Sequence, residues 1–119
     1  MKQEKIILRY KKKKVPIVVA RTNLFEKVSG LMFTDREKAK ALLLFDFKKP
    51  HMAKIHSFFV FFKFIAAWAD DKNEIMEIKI VRPWSPLVLP EKPFSKLIEI
   101  PLNKRYMKIS EILVGKRKI

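Results

Sequence analysis

Cysteine is absent from the 119 residues, which excludes disulfides, thiolate zinc sites and thiol nucleophiles together. Glycine occurs twice, at Gly30 and Gly115, too rarely to build a glycine-rich phosphate loop. Acidic residues are scarce: 12 stand against 27 lysines and arginines, for a net charge of +15. No long uninterrupted apolar run exists either. The longest, Phe58 to Ala69, is broken by Lys63 and falls short of the ~20 residues a membrane-spanning helix needs, so no membrane insertion is expected. The amino end is charged, and its apolar runs, Ile6 to Leu8 and Val15 to Ala20, lead to no convincing cleavage site, which predicts a cytoplasmic protein. One glutamine, three asparagines and 21 lysines give a thermophile-like composition.

What is present suffices for a core. Hydrophobic residues make up 49% of a single-domain length, so residues 1–119 are read as one domain. Ile6 to Tyr10 and Val15 to Arg21 predict two strands joined by a Lys11–Lys14 tip, with Pro16 placing the second near a sheet edge. Thr22 or Asn23 can cap a short helix that Gly30 ends, and Thr34 to Glu37 offer a second cap and one more turn. Ala41 to Phe47 predicts a third strand, broken by the loop at Lys48 to His51. The alternation from Phe58 to Trp68, the turn at Asp70 to Asn73 and the alternation of Met76, Ile78 and Ile80 predict a hairpin. Five of the seven prolines lie between Pro83 and Pro101, which predicts an ordered loop there. Leu97 to Ile100 and Ile109 to Val114 are expected as closing strands. The pattern predicts a mainly β (α+β) fold, a small antiparallel β-barrel-like domain with one or two short helices.

Three segments, Ala20-Arg21-Thr22, Gly30-Leu31-Met32 and Leu44-Phe45-Asp46-Phe47, together resemble the domain of unknown function 192 family, with a match from Val19 to about Ile80 and a looser one beyond. Leu97-Ile98-Glu99-Ile100-Pro101 looks like the family's closing strand. Lys63 stands where proline is common, Ile65 where an aspartate is expected, Asn103 where glycine is usual, and Lys116 where aspartate commonly follows glycine. The resemblance implies a compact β-barrel-like fold with short helices and brings no established activity, cofactor or catalytic residue.

Catalytic and metal sites find little support in the residues. His56 beside Ser57 is the sole histidine–serine neighbour pair, and adjacent residues of a strand point to opposite faces. His51, His56 and the scattered carboxylates show no metal-ligand spacing, and Asp70-Asp71 reads as a surface turn. No catalytic residue, metal site or cofactor is therefore assigned. The surplus of positive charge suggests nucleic acid or another polyanion as partner, with Lys11, Lys12, Lys13, Lys14, Lys48, Lys49, Lys104 and Arg105 as its candidate contacts. The alternative is a small-molecule ligand in a barrel pocket, with Arg21, Met32, Asp46, His56 and Trp68 as candidate lining. A hydrolase ranks third and would require His56 to meet a carboxylate and a hydroxyl from elsewhere in the chain. The phenylalanines of 58–62 are expected in the core.

Overall fold

The computed structural model describes residues 2–22 and 30–118. Six strands form one sheet: β1 (Lys2–Tyr10), β2 (Lys13–Arg21), β3 (Leu42–His51), β4 (Phe64–Ala69), β5 (Ile75–Val81) and β6 (Phe94–Pro101). Their order is β1-β2-β3-β6-β4-β5, antiparallel throughout except where β2 runs parallel to β3. The sheet curls until its two edges meet at one point, where the Arg9 amide donates to the Asn73 carbonyl at 2.9 Å. This is the barrel-like, mainly β architecture expected, and its short helices are the α-helix α1 (Met107–Val114) and two 3₁₀ turns, Lys104–Tyr106 and Lys116–Lys118. Among the described residues, no helix is long and apolar enough to cross a membrane.

Period-two alternation sorts the inner strands into two cores. Leu42, Leu44, Phe64, Ala66, Trp68 and Leu97 point to one side of the sheet, where Leu31, Val60 and Phe62 from the loops cover them. Leu43, Ile65, Ala67, Ile98 and Ile100 point to the other, against Leu8, Val15, Val19, Tyr106 and Leu113. Every residue of β4 is buried, as a strand covered on both faces requires. Pro16 lies opposite Ile7 of β1, at a level where β2 has no ladder to β3, so its missing amide hydrogen leaves no gap in a ladder.

One expected strand is absent and another is shortened. Ile109 to Val114 is helical, because Tyr106, Ser110 and Leu113 recur at helical spacing and all three are buried on one side. Gly115 closes that helix with a φ of 84°, its amide donating to the Glu111 carbonyl. The predicted strand from Phe58 begins only at Phe64, since residues 57–60 form a turn in which the Val60 amide donates to the Ser57 carbonyl at 3.1 Å. The core expectation for the phenylalanine run is met by Phe62 and corrected for Phe58, Phe59 and Phe61, which are exposed. The helix expected between Thr22 and Gly30 lies outside the described residues. The single turn after Thr34 forms, with the Ala39 amide donating to the Asp35 carbonyl at 2.9 Å.

Candidate functional site

In β6 the alternation that buries Leu97 on one side of the sheet turns Glu99 to that same side, between Leu42 of β3 and Ala66 of β4. Both neighbours are apolar and Ala66 is short, so a carboxyl group is left within a core and beside free space. A cavity of about 220 Å³ opens over it, lined by Leu31, Met32, Leu44, Phe64 and Val60, with Lys54 and His56 also on its wall. Glu99 is 3% exposed. Among the described residues nothing hydrogen-bonds its carboxyl group. Burial therefore acts unopposed and pushes its pKa from 4.5 up to about 8, because the ionised form would shed its hydration with no ion or donor in exchange. At neutral pH Glu99 is a neutral acid with one O–H to donate.

Gly30 completes the wall. Its φ of 51° is left-handed, and a Cβ at this position would stand 3.5 Å from Glu99 Oε1. The left-handed turn that glycine permits sets the backbone of the Gly30–Met32 segment against the buried carboxyl.

Of the five residues expected to line a pocket, Met32 and His56 do so. Arg21 and Asp46 meet each other instead on the outside of the sheet, where Arg21 Nη2 bonds Glu4 Oε1 at 2.7 Å and Asp46 Oδ2 at 3.0 Å. A partly exposed triad of this kind ties β1, β2 and β3 together and leaves neither group facing the cavity. Trp68 is fully packed in β4, its indole nitrogen without a partner among the described residues and Lys79 Nζ 5.8 Å from its ring.

The histidine–serine pair does not form a nucleophile and base. Ser57 Oγ donates to the Arg82 carbonyl at 2.6 Å and accepts from the Ser85 amide at 2.6 Å, while His56 Nδ1 accepts from the Phe58 amide. His56 does share the cavity with the Glu99 carboxyl, and among the described residues no hydroxyl side chain lines that cavity. Among the described residues no three acidic or histidine side chains gather to hold a metal.

The lysine clusters are dispersed by strand direction. β2 leaves the Lys11–Lys14 turn and ends alongside the start of β3, whose far end carries Lys48 and Lys49, so these two clusters occupy opposite ends of the sheet. Lys104 and Arg105 form the turn that leads into α1. Lys11 comes instead against the other end of that helix, sharing a groove with Val114 and Gly115.

Glu99 escaped notice in the sequence, although a signal was present: a single acid in the otherwise apolar run Leu97-Ile98-Glu99-Ile100, at a position that period-two alternation turns to the core.

A family model described as "Uncharacterized ACR" matches residues 6–117. No curated protein matches the chain. Among solved structures, a protein from Sinorhizobium meliloti 1021, named as a candidate transcription regulator, superposes with a TM-score of 0.73 at 16% identity, over 92% of this chain and 87% of that one. A protein of unknown function from Novosphingobium aromaticivorans DSM 12444 gives 0.60 at 19% identity, over 80% and 71%. At these identities the likeness is one of fold.

Proposed function

We propose, from the premise that the chain belongs to the domain of unknown function 192 family, that it is a non-enzymatic binding domain taking a small ligand in the cavity over Glu99. The observation that carries this reading is a buried carboxyl without a partner among the described residues, facing a cavity in the core. Such a group costs stability, and a ligand that accepts its hydrogen bond recovers part of that cost. The lining favours a largely apolar molecule with a neutral acceptor, such as a carbonyl or ring nitrogen, at its buried end. Lys54 and His56 would suit an anionic group at the other. The dispersed lysines enter this reading as a general attraction for anions, which a net charge of +15 supplies at long range. A polyanion bound along the clusters would need them on one face, and the strand directions separate two of them.

The test uses methyl-labelled methionine. Met32 lines the cavity, while Met76 and Met107 are exposed elsewhere and serve as internal controls. Titration with a panel of small amides, ketones, azines and short-chain carboxylates is expected to move the Met32 methyl resonance alone. Binding should weaken as the pH passes about 8, where Glu99 loses its proton. A panel that leaves Met32 unmoved, or binding that is indifferent to Glu99→Leu, would sink the reading.

A further inference from the structure

Five aromatic rings stand on the surface next to that cavity, and the backbone is strained to put them there. Phe33, Phe59 and Trp84 have φ angles of 58°, 59° and 60°, a region that disfavours side chains with a Cβ and is costly for bulky ones. All three are exposed, as are Phe58 and Phe61. Hydrogen bonds hold the three loops in place: the Phe33 amide donates to the Phe59 carbonyl and the Trp84 amide to the Ser57 carbonyl, each at 2.9 Å. Beneath them the fully buried Ser57 hydroxyl bridges Arg82 and Ser85. A protein that needed these rings only for packing would turn them inward, as it does Phe62 and Phe64.

The rings close on one another. Phe33 stacks on Phe59 with centroids 4.9 Å apart, and Trp84 stands edge-on to Phe58, Phe59 and Phe61 at 6.4, 4.7 and 5.8 Å. Beside Phe61 a groove carries Arg36, Lys63 and Lys104, and its one acid, Glu37, is already engaged by Arg36 and by the Lys104 amide. Arg82 is exposed at the foot of the Trp84 loop.

We propose that this aromatic cap docks on the surface of an anionic lipid bilayer, with its rings at headgroup depth and Arg36, Lys63, Arg82 and Lys104 on the phosphates around them. Aromatic side chains with basic neighbours partition to that interface, and the net charge of +15 adds attraction to anionic lipid. The contact is peripheral and spans nothing. Single-stranded nucleic acid would need open ring faces spaced along a basic groove. These rings instead share faces and edges, which makes a continuous apolar cap. The proposal stands independently of the ligand reading.

Trp84 is its own reporter, because the chain's second tryptophan, Trp68, is buried at 1% exposure. Equimolar phosphatidylglycerol–phosphatidylcholine vesicles are expected to shift Trp84 emission to the blue, and brominated acyl chains to quench it. Pure phosphatidylcholine should do so more weakly, and raised salt should reduce the effect. Phe33→Ser with Phe61→Ser, both exposed positions, should weaken partitioning by about tenfold or more while leaving the melting temperature near that of the parent. The proposal is overturned if Trp84 is unquenched by anionic vesicles at low salt, if the double variant binds like the parent, or if poly(U) rather than vesicles shifts the emission, which would make single-stranded RNA the occupant.

Discussion

Unfolding free energy is expected to fall as pH rises from about 5 to about 8, and Glu99→Gln is expected to remove most of that slope. The sign follows from the proton count. Glu99 has its folded pKa at about 8 against an ordinary 4.5, so between these values the folded chain holds a proton that the unfolded chain has released. Stability from that proton is fully present below 4.5 and is lost as pH climbs to about 8. At roughly 1.4 kcal/mol per pH unit the window amounts to at most about 5 kcal/mol, a large part of what a small domain possesses. Glutamine keeps the shape and cannot ionise. Urea denaturation of parent and variant at several pH values reads the difference directly. Parallel curves for the two proteins would mean that Glu99 is ionised in the folded chain and solvated or paired.

The second large effect concerns the wall of the same cavity. Phe64 is 1% exposed and lines it from β4, beside the β6 strand that carries Glu99. Phe64→Ala removes a buried ring from strands held on both faces, where little can collapse into the space. The expected loss is ~3–5 kcal/mol, with an unchanged denaturant dependence. The enlarged cavity should also accept bulkier ligands than the parent accepts. A loss below ~1 kcal/mol would show that the covering loops close over the gap, and that the cavity is not a rigid feature of the fold.

Much of the architecture was legible from local rules. The β4–β5 hairpin followed from alternation meeting a turn, and Asp70 does hold that turn, its Oδ1 accepting from the Lys72 and Glu74 amides at 2.9 Å. The β1–β2 hairpin followed from two β-branched runs around four lysines. The expected loop at Lys48 to His51 is instead the end of β3, and the two misread strands share one physical origin, since periodicity reports which residues seek burial and says less about the element that achieves it. Ile109 to Val114 is apolar enough for either a strand or a helix, and only contact with Leu8, Val15 and Val19 across the sheet decides for the helix. Phe58 to Phe61 continue an alternating pattern into a turn fixed by Ser57, whose partners Arg82 and Ser85 lie more than twenty residues away.

The site was less legible than the fold. Met32 and His56 were drawn from the family-like segment and its aromatic neighbour, and they reach the cavity. Asp46 and Arg21, the charged members of the expected lining, sit in the family-like motifs, yet β3 turns Asp46 outward, where the guanidinium meets it at the surface. Glu99 obeys the opposite parity in β6. Which acid in an apolar strand faces inward depends on register, and register is set by the partner strands: here Leu42 and Ala66 flank Glu99 on the packed side.

The most direct measurement is a carboxyl-carbon NMR titration of glutamate-labelled protein from acid to mildly alkaline pH, with the Glu99 resonance identified by its loss in Glu99→Gln. A midpoint near 8 is predicted. A Glu99 midpoint near 4.5 would contradict the account, because the cavity would then hold a hydrated carboxylate in place of a neutral acid awaiting a ligand.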